Sequence, residues 1–176
     1  MSTRGLIHVY YGSGKGKTTA ALGLAFRASG YDMKTVIVQF LKNSPCGEVV
    51  SAERSENIEI LRGKAGKAFA FTMSQEEKKE TRAIHDLNLQ KAKKLVESGE
   101  CDLLILDEAL DAYELGLLDE AAFRSMVMDK PEGLELVITG HRPIDWVLKR
   151  ADYITEMVKH RHPYDAGIRA RKGIEF

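Results

Sequence analysis

Residues whose types and spacing can carry chemistry gather at two places in the chain. The first is Gly12-Ser13-Gly14-Lys15-Gly16-Lys17-Thr18-Thr19, set between the apolar run 6–11 and a run with Ala20, Leu22, Leu24 and Ala25 at helical spacing. Strand, glycine loop and helix in that order make a phosphate cradle. Glycine lets backbone N–H groups turn towards an anion, and the helix N-terminus adds about half a positive charge at the same spot. Lys17 brings a mobile full charge for phosphate oxygens, and the Thr18 hydroxyl can enter the shell of a magnesium or manganese ion. A nucleoside triphosphate is the expected ligand. The second place is Cys101-Asp102-Leu103-Leu104-Ile105-Leu106-Asp107-Glu108, an apolar run ending in paired carboxylates, which is the Walker B arrangement. Asp107 at a strand end can hold the ion through water. Glu108 can align water, take a proton or complete the metal shell.

The cradle departs from the pattern G-x-x-x-x-G-K-[ST], because Tyr11 stands where its first glycine belongs. Counted from Gly12 the loop is one residue short. A smaller nest implies that the phosphates sit in another register, or run through it in another direction, than in an ordinary hydrolase of this kind. Two further groups fall at strand ends that face a ligand crevice. Gln39-Phe40-Leu41-Lys42 closes the β-branched run 35–41, with Lys42 the expected ligand contact and Phe40 expected in the core. Gly140-His141-Arg142-Pro143 follows the apolar run 134–139, so His141 or Arg142 can reach the nucleotide phosphates.

The elements that position these groups are readable from periodicity and punctuation. The helix after the cradle fades at Ser29-Gly30, a short helix fits 47–55 and a short strand 58–61. Residues 62–72 lack a sustained period and read as a mobile loop carrying two exposed aromatics, Phe69 and Phe71. Ser74 and Glu77 form a capping box that starts a helix to about Glu97, closed by Gly99. Ile84, Leu87, Leu95 and Val96 are expected on or near its inner face, with His85 at the surface. Asp119 caps a helix to about Val127 whose Phe123, Met126 and Val127 share a face. A short helix at 144–150 puts Trp146 in the core, 153–158 is a last strand, and the ending 167–176 reads as a return strand or hairpin edge. Strands alternating with helices throughout predict one three-layer α/β domain over 1–176, with a mostly parallel central sheet.

Composition excludes several classes of function. The 176 residues carry 26 basic and 26 acidic side chains, which gives no global attraction to nucleic acid or anionic membranes. No apolar run approaches the length of a membrane span and nothing at the N-terminus resembles a signal peptide, so a cytoplasmic location is expected. Cys46 and Cys101 lie apart, without metal-ligand spacing, and are expected to be reduced thiols.

Taken together, GKGKTTAA, QFLK, LLILDEAL, LVITG and ADYITEMVKHRHPYDAGIRARKGIEF resemble an ATP:corrinoid adenosyltransferase of the cob(I)alamin type over nearly the whole chain. The last stretch discriminates most, because other P-loop proteins share the first motif but not this ending. The resemblance implies a P-loop, RecA-like fold and an enzyme of cobalamin biosynthesis. Such an enzyme moves the 5'-deoxyadenosyl group of ATP to the cobalt of a reduced corrinoid, cobalamin or an early a,c-diamide, and releases triphosphate. It implies that the triphosphate lies reversed in the cradle formed by Gly12 to Thr19. Thr18 and Glu108 would be the magnesium site, with Asp107 in support, and Arg27 a nucleotide contact. Phe71 would match the apolar wedge that strips the lower axial ligand from cobalt, Met73 standing where relatives have tryptophan. A homodimer and a flavodoxin-like electron donor complete what the resemblance implies. The alternative is a P-loop ATPase or small-molecule kinase; a thymidine-kinase-like protein would need a zinc site that two scattered cysteines cannot build, and a nucleotide-binding regulator would leave ATP unchanged.

Overall fold

A computed structural model describes residues 4–66 and 69–175. Lys67 and Ala68 of the expected loop, and Phe176 of the expected C-terminal strand, lie outside them. The strands are β1 (Ile7–Tyr11), β2 (Thr35–Gln39), β3 (Ile58–Arg62), β4 (Leu103–Asp107), β5 (Glu135–Gly140) and β6 (Tyr153–Glu156). They form one six-stranded sheet in the order β3-β2-β4-β5-β1-β6, and every pairing is parallel. The helices are α1 (Lys17–Ser29), α2 (Gly47–Ala52), α3 (Gln75–Glu97), α4 (Ala109–Glu114), α5 (Glu120–Met128) and α6 (Asp145–Arg150).

A parallel sheet buried on both faces selects continuous apolar strands, and every residue of β2 and of β4 is buried. Alternation along β4 sorts the layers: Leu104 and Leu106 join the cluster built with α3, α4, α5 and α6, while Leu103 and Ile105 meet the alanine face of α1. Ala21, Ala25 and Ala28 form that face. Small side chains there let the helix lie close over the middle of the sheet.

The three-layer α/β expectation holds, and β5 lies between the cradle strand β1 and the carboxylate strand β4, as in RecA-like folds. All strand carboxyl ends open on one edge, where ligands bind in sheets of this kind. The capping box at Ser74 and Glu77 is present, and Asp119 caps α5 through the Ala122 amide.

Three expectations need correction, and one helix was not anticipated. Leu87 is 66% exposed, because the buried line of α3 runs Thr81, His85, Leu89, Ala92 and Val96, and Leu87 lies two residues, about 200°, from it. His85 is itself fully buried, not at the surface. Helix α4, directly after Glu108, has no counterpart in the sequence reading. The described part of the ending pairs with no strand: a 3-10 turn, Pro163–Ala166, leads into further turns stabilised by Arg171 and Glu175.

Candidate active site

Asp107 is the hub. Its Oδ1 accepts from the hydroxyls of Thr18 at 2.9 Å and Thr139 at 2.8 Å, and its Oδ2 from Lys42 Nζ at 2.8 Å and Gln39 Nε2 at 3.3 Å. The carboxylate is only 1% exposed, and each of its two oxygens has two donors, which offsets the cost of burying it. Thr139, from β5, also accepts the Glu108 amide at 2.9 Å, which fixes the chain where it leaves β4.

Lys42 Nζ sits among oxygens, 2.8 Å from Asp107 Oδ2, 3.2 Å from Glu108 Oε1 and 3.1 Å from Thr18 Oγ1. Burial alone would pull its pKa down, but the charges of Asp107 and Glu108 outweigh it and hold the ammonium above its ordinary value. Burial pushes Glu108 the other way, above the usual carboxylate range, with Lys42 opposing. Glu108 and Leu41 both have left-handed backbones, φ 61° and φ 60°, at the ends of neighbouring strands. Strain in non-glycine residues gathers where side chains must be aimed.

The cradle turns as expected and is closed from behind. Gly12 N–H donates to His141 O at 3.1 Å and Gly14 N–H to Met157 O at 2.6 Å. A Cβ on Gly12 would lie 2.5 Å from the Met157 oxygen, and one on Gly14 2.7 Å from it, so both glycines admit the segment following β6. Gly16, at φ 116°, is the N-cap of α1. Lys17 Nζ donates to the Gly12 and Gly14 carbonyls at 2.7 and 2.9 Å, and burial lowers its pKa. Ser13, Lys15 and Thr19 are exposed around the mouth.

The structure therefore brings together Gly12 to Thr18, Asp107, Glu108 and Lys42. His141 flanks the cradle through its backbone, but its ring and amide bind Asp111, and Arg142 pairs with Glu114 at 3.1 Å. Arg27 lies in the last turn of α1, about 15 Å along the axis from Lys17, so this chain does not bring it to the cradle. Phe69 and Phe71 are 72% and 80% exposed and stack in parallel at 5.6 Å. Met73 turns inward instead, its Sδ 3.7 Å from the Thr81 hydroxyl, so the exposed aromatic pair is Phe69 with Phe71. Asn43, next to Lys42, donates to the carbonyls of Lys64 and Gly66 and ties that loop to the site.

Thr139, Met157 and Asp111 escaped the sequence reading as site residues, and Gln39 was placed at the crevice without a role of its own. Thr139 and Gln39 stand at strand ends, which was the available signal; Met157 contributes a backbone oxygen that no side-chain identity reveals. Trp146 packs against Phe123 and Tyr113 beneath Arg124, in line with a core role. Both cysteines are free, and burial pushes the Cys101 thiol up to about 12, which makes it inert. Among the described residues no helix is long and apolar enough to cross a membrane.

A family model described as ATP:corrinoid adenosyltransferase BtuR/CobO/CobP matches residues 3–176. A Sinorhizobium protein named corrinoid adenosyltransferase is 33% identical over 98% of this chain and 81% of its own length. Its Escherichia coli K12 namesake is also 33% identical, over 98% and 86%. The Salmonella typhimurium corrinoid adenosyltransferase CobA is 32% identical, over the same shares.

Proposed function

The chain belongs to the ATP:corrinoid adenosyltransferase family and transfers the 5'-deoxyadenosyl group of ATP to a corrinoid, and we propose how its site does so. The observation that carries the reading is the knot of Thr18, Lys42, Asp107 and Glu108 at the mouth of a shortened cradle. Co(I) of the substrate supplies an electron pair to C5', the C5'–O bond breaks, and triphosphate leaves with that bond's electrons. Negative charge grows on the leaving group, and Lys17 and Lys42 stand where they oppose it. Gly12 and Gly14 donate their N–H groups to His141 and Met157, so the remaining amides between Ser13 and Thr19 hold the triphosphate, in reversed direction, with C5' facing outward. Holding C5' in line with cobalt lowers the barrier by several kcal/mol, about 7–11 in the best intramolecular cases.

The residues fit magnesium: one hydroxyl and two carboxylates, hard oxygens of Thr18, Asp107 and Glu108, already surround a positive charge. These residues would hold the ion, and when bound it would neutralise phosphate charge. Phe71, backed by Phe69, presents the apolar surface that disfavours a lower axial ligand on cobalt, a lever on its potential. His141 and Arg142 approach the nucleotide once released from Asp111 and Glu114, and Arg27, farther along α1, contacts a part of the nucleotide beyond the phosphates. A homodimer, a flavodoxin-like electron donor and a cytoplasmic setting belong to the same proposal. The exposed apolar side chains of β6, Tyr153 and Ile154, support the dimer.

The test is anaerobic. Protein, magnesium, ATP and chemically reduced cobalamin should yield a light-sensitive alkylcobalamin with one triphosphate per turnover, and Lys17→Ala should abolish it. ADP and phosphate without cobalt alkylation would replace this mechanism by ordinary hydrolysis.

A further inference from the structure

His85, near the middle of α3, is fully buried and lies outside the machinery described so far. Its Nδ1 is 2.7 Å from the Leu117 carbonyl oxygen, and its Nε2 is 3.1 Å from the Leu41 amide nitrogen. A carbonyl only accepts and a backbone N–H only donates, so Nδ1 carries the proton and Nε2 is bare. Phe40 fixes the ring edge-on, with centroids 5.1 Å apart at 85°. Leu41 holds φ 60°, which a branched L side chain rarely adopts. That turn sends the next side chain, Lys42, back over the carboxylates of Asp107 and Glu108.

We propose that His85, as its neutral Nδ1–H tautomer, is a positioning residue that holds the left-handed turn at Leu41 and so keeps Lys42 aimed at Asp107 and Glu108. The proposal rests on the reading of Lys42 as a partner of the triphosphate. One turn earlier on the same helix line, Thr81 accepts the Ala65 amide at 3.1 Å and donates to Met73. One face of α3 thus anchors both the base of the aromatic loop and the turn that carries Lys42.

The arrangement is sensitive to acid. A second ring proton would sit on Nε2, facing the Leu41 N–H, and the bond would be lost. Burial lowers the His85 pKa, opposed by the Leu117 carbonyl and by Asp86. The charge that acts on the ring is Asp86 of α3; Arg82 and Asp119 meet the ring through Asp86, and Lys42 lies beyond Leu41. Asp86 is engaged by Arg82 at 3.5 Å and by the Asp119 amide at 2.6 Å. Release of the turn therefore comes on the acid side, below the ordinary histidine midpoint.

Nitrogen-15 NMR of the full chain should show Nδ1 protonated and Nε2 bare at neutral pH; the other tautomer or a charged ring overturns the proposal. Calorimetric binding of magnesium ATP then reads the role. H85Q offers an amide oxygen to Leu41 without titrating, so it should keep wild-type affinity within about twofold and lose the part of the acid-side fall that His85 carries. An unchanged fall in H85Q overturns the proposal even if H85L does not fold. H85L should weaken binding about tenfold alone and leave it unchanged in a K42A background, because both act through one contact. Equal losses in both backgrounds would mean a general effect on the fold and would overturn it. A wild-type protein that binds ATP with this pattern but alkylates no cobalt would sink the functional reading and leave the positioning role standing.

Discussion

Asp107 and Glu108 are neighbours in sequence with opposite surroundings. Asp107 is enclosed by donors from β2, β5 and α1, whereas Glu108 is half-buried on a left-handed backbone with Lys42 as its cation. Burial raises the Glu108 pKa in the folded protein, so the fold prefers its protonated form. A raised folded-state pKa gives stability that is complete below the unfolded value and lost as pH rises through the folded one. Ionised Glu108 is therefore a cost at neutral pH. Glu108→Gln should unfold at a higher temperature than wild type at neutral pH, with the gap closing on acidification, while adenosyl transfer falls by at least about tenfold. Scanning calorimetry at two pH values checks this; an unchanged or lower midpoint at neutral pH would show that Lys42 needs its second carboxylate more than the fold resents it. Both carboxylates were legible from sequence because a strand's apolar run points to its own end. The burial of His85 was not, since a polar letter hides membership of an apolar face.

At the scale of elements, the site is a set of strand ends locked by loops from elsewhere. The glycines of the cradle serve different ends: Gly16 supplies a left-handed cap, while Gly12 and Gly14 make room for the Met157 backbone. Gly12→Ala combines a strained φ of 113° with a clash against backbone atoms, and should cost about 1–3 kcal/mol in urea unfolding and impair ATP binding. Gly23→Ala, in the interior of α1 with nothing within 4 Å of the new methyl, should instead stabilise by about 0.5–1 kcal/mol. Equal signs for the two would refute the packing argument. Sequence spacing located the cradle, yet only the sheet order brought the segment after β6 against it.

At the scale of the molecule, α3 to α6 cover one face of the sheet and α1 covers much of the other, leaving β6 as an exposed edge. Tyr153 and Ile154, each 51% exposed, stand on that edge, Tyr153 with one ring face stacked on His8 at 4.5 Å. Sedimentation should find a species of twice the 19.6 kDa chain, which Ile154→Lys shifts to the monomer; a monomeric wild type would remove the dimer from the proposal. By itself the sequence determined the α/β alternation, the parallel character of the sheet, the cradle, the carboxylate pair and the family. These are set by local period and spacing, which each segment carries within itself. Only the tertiary structure decided that Lys42 meets Asp107 across 65 residues, Thr139 meets it across 32, and His85 holds Leu41 across 44. Such pairings depend on strand order and on the direction each chain leaves its strand, and neither is encoded in the residues of any one segment.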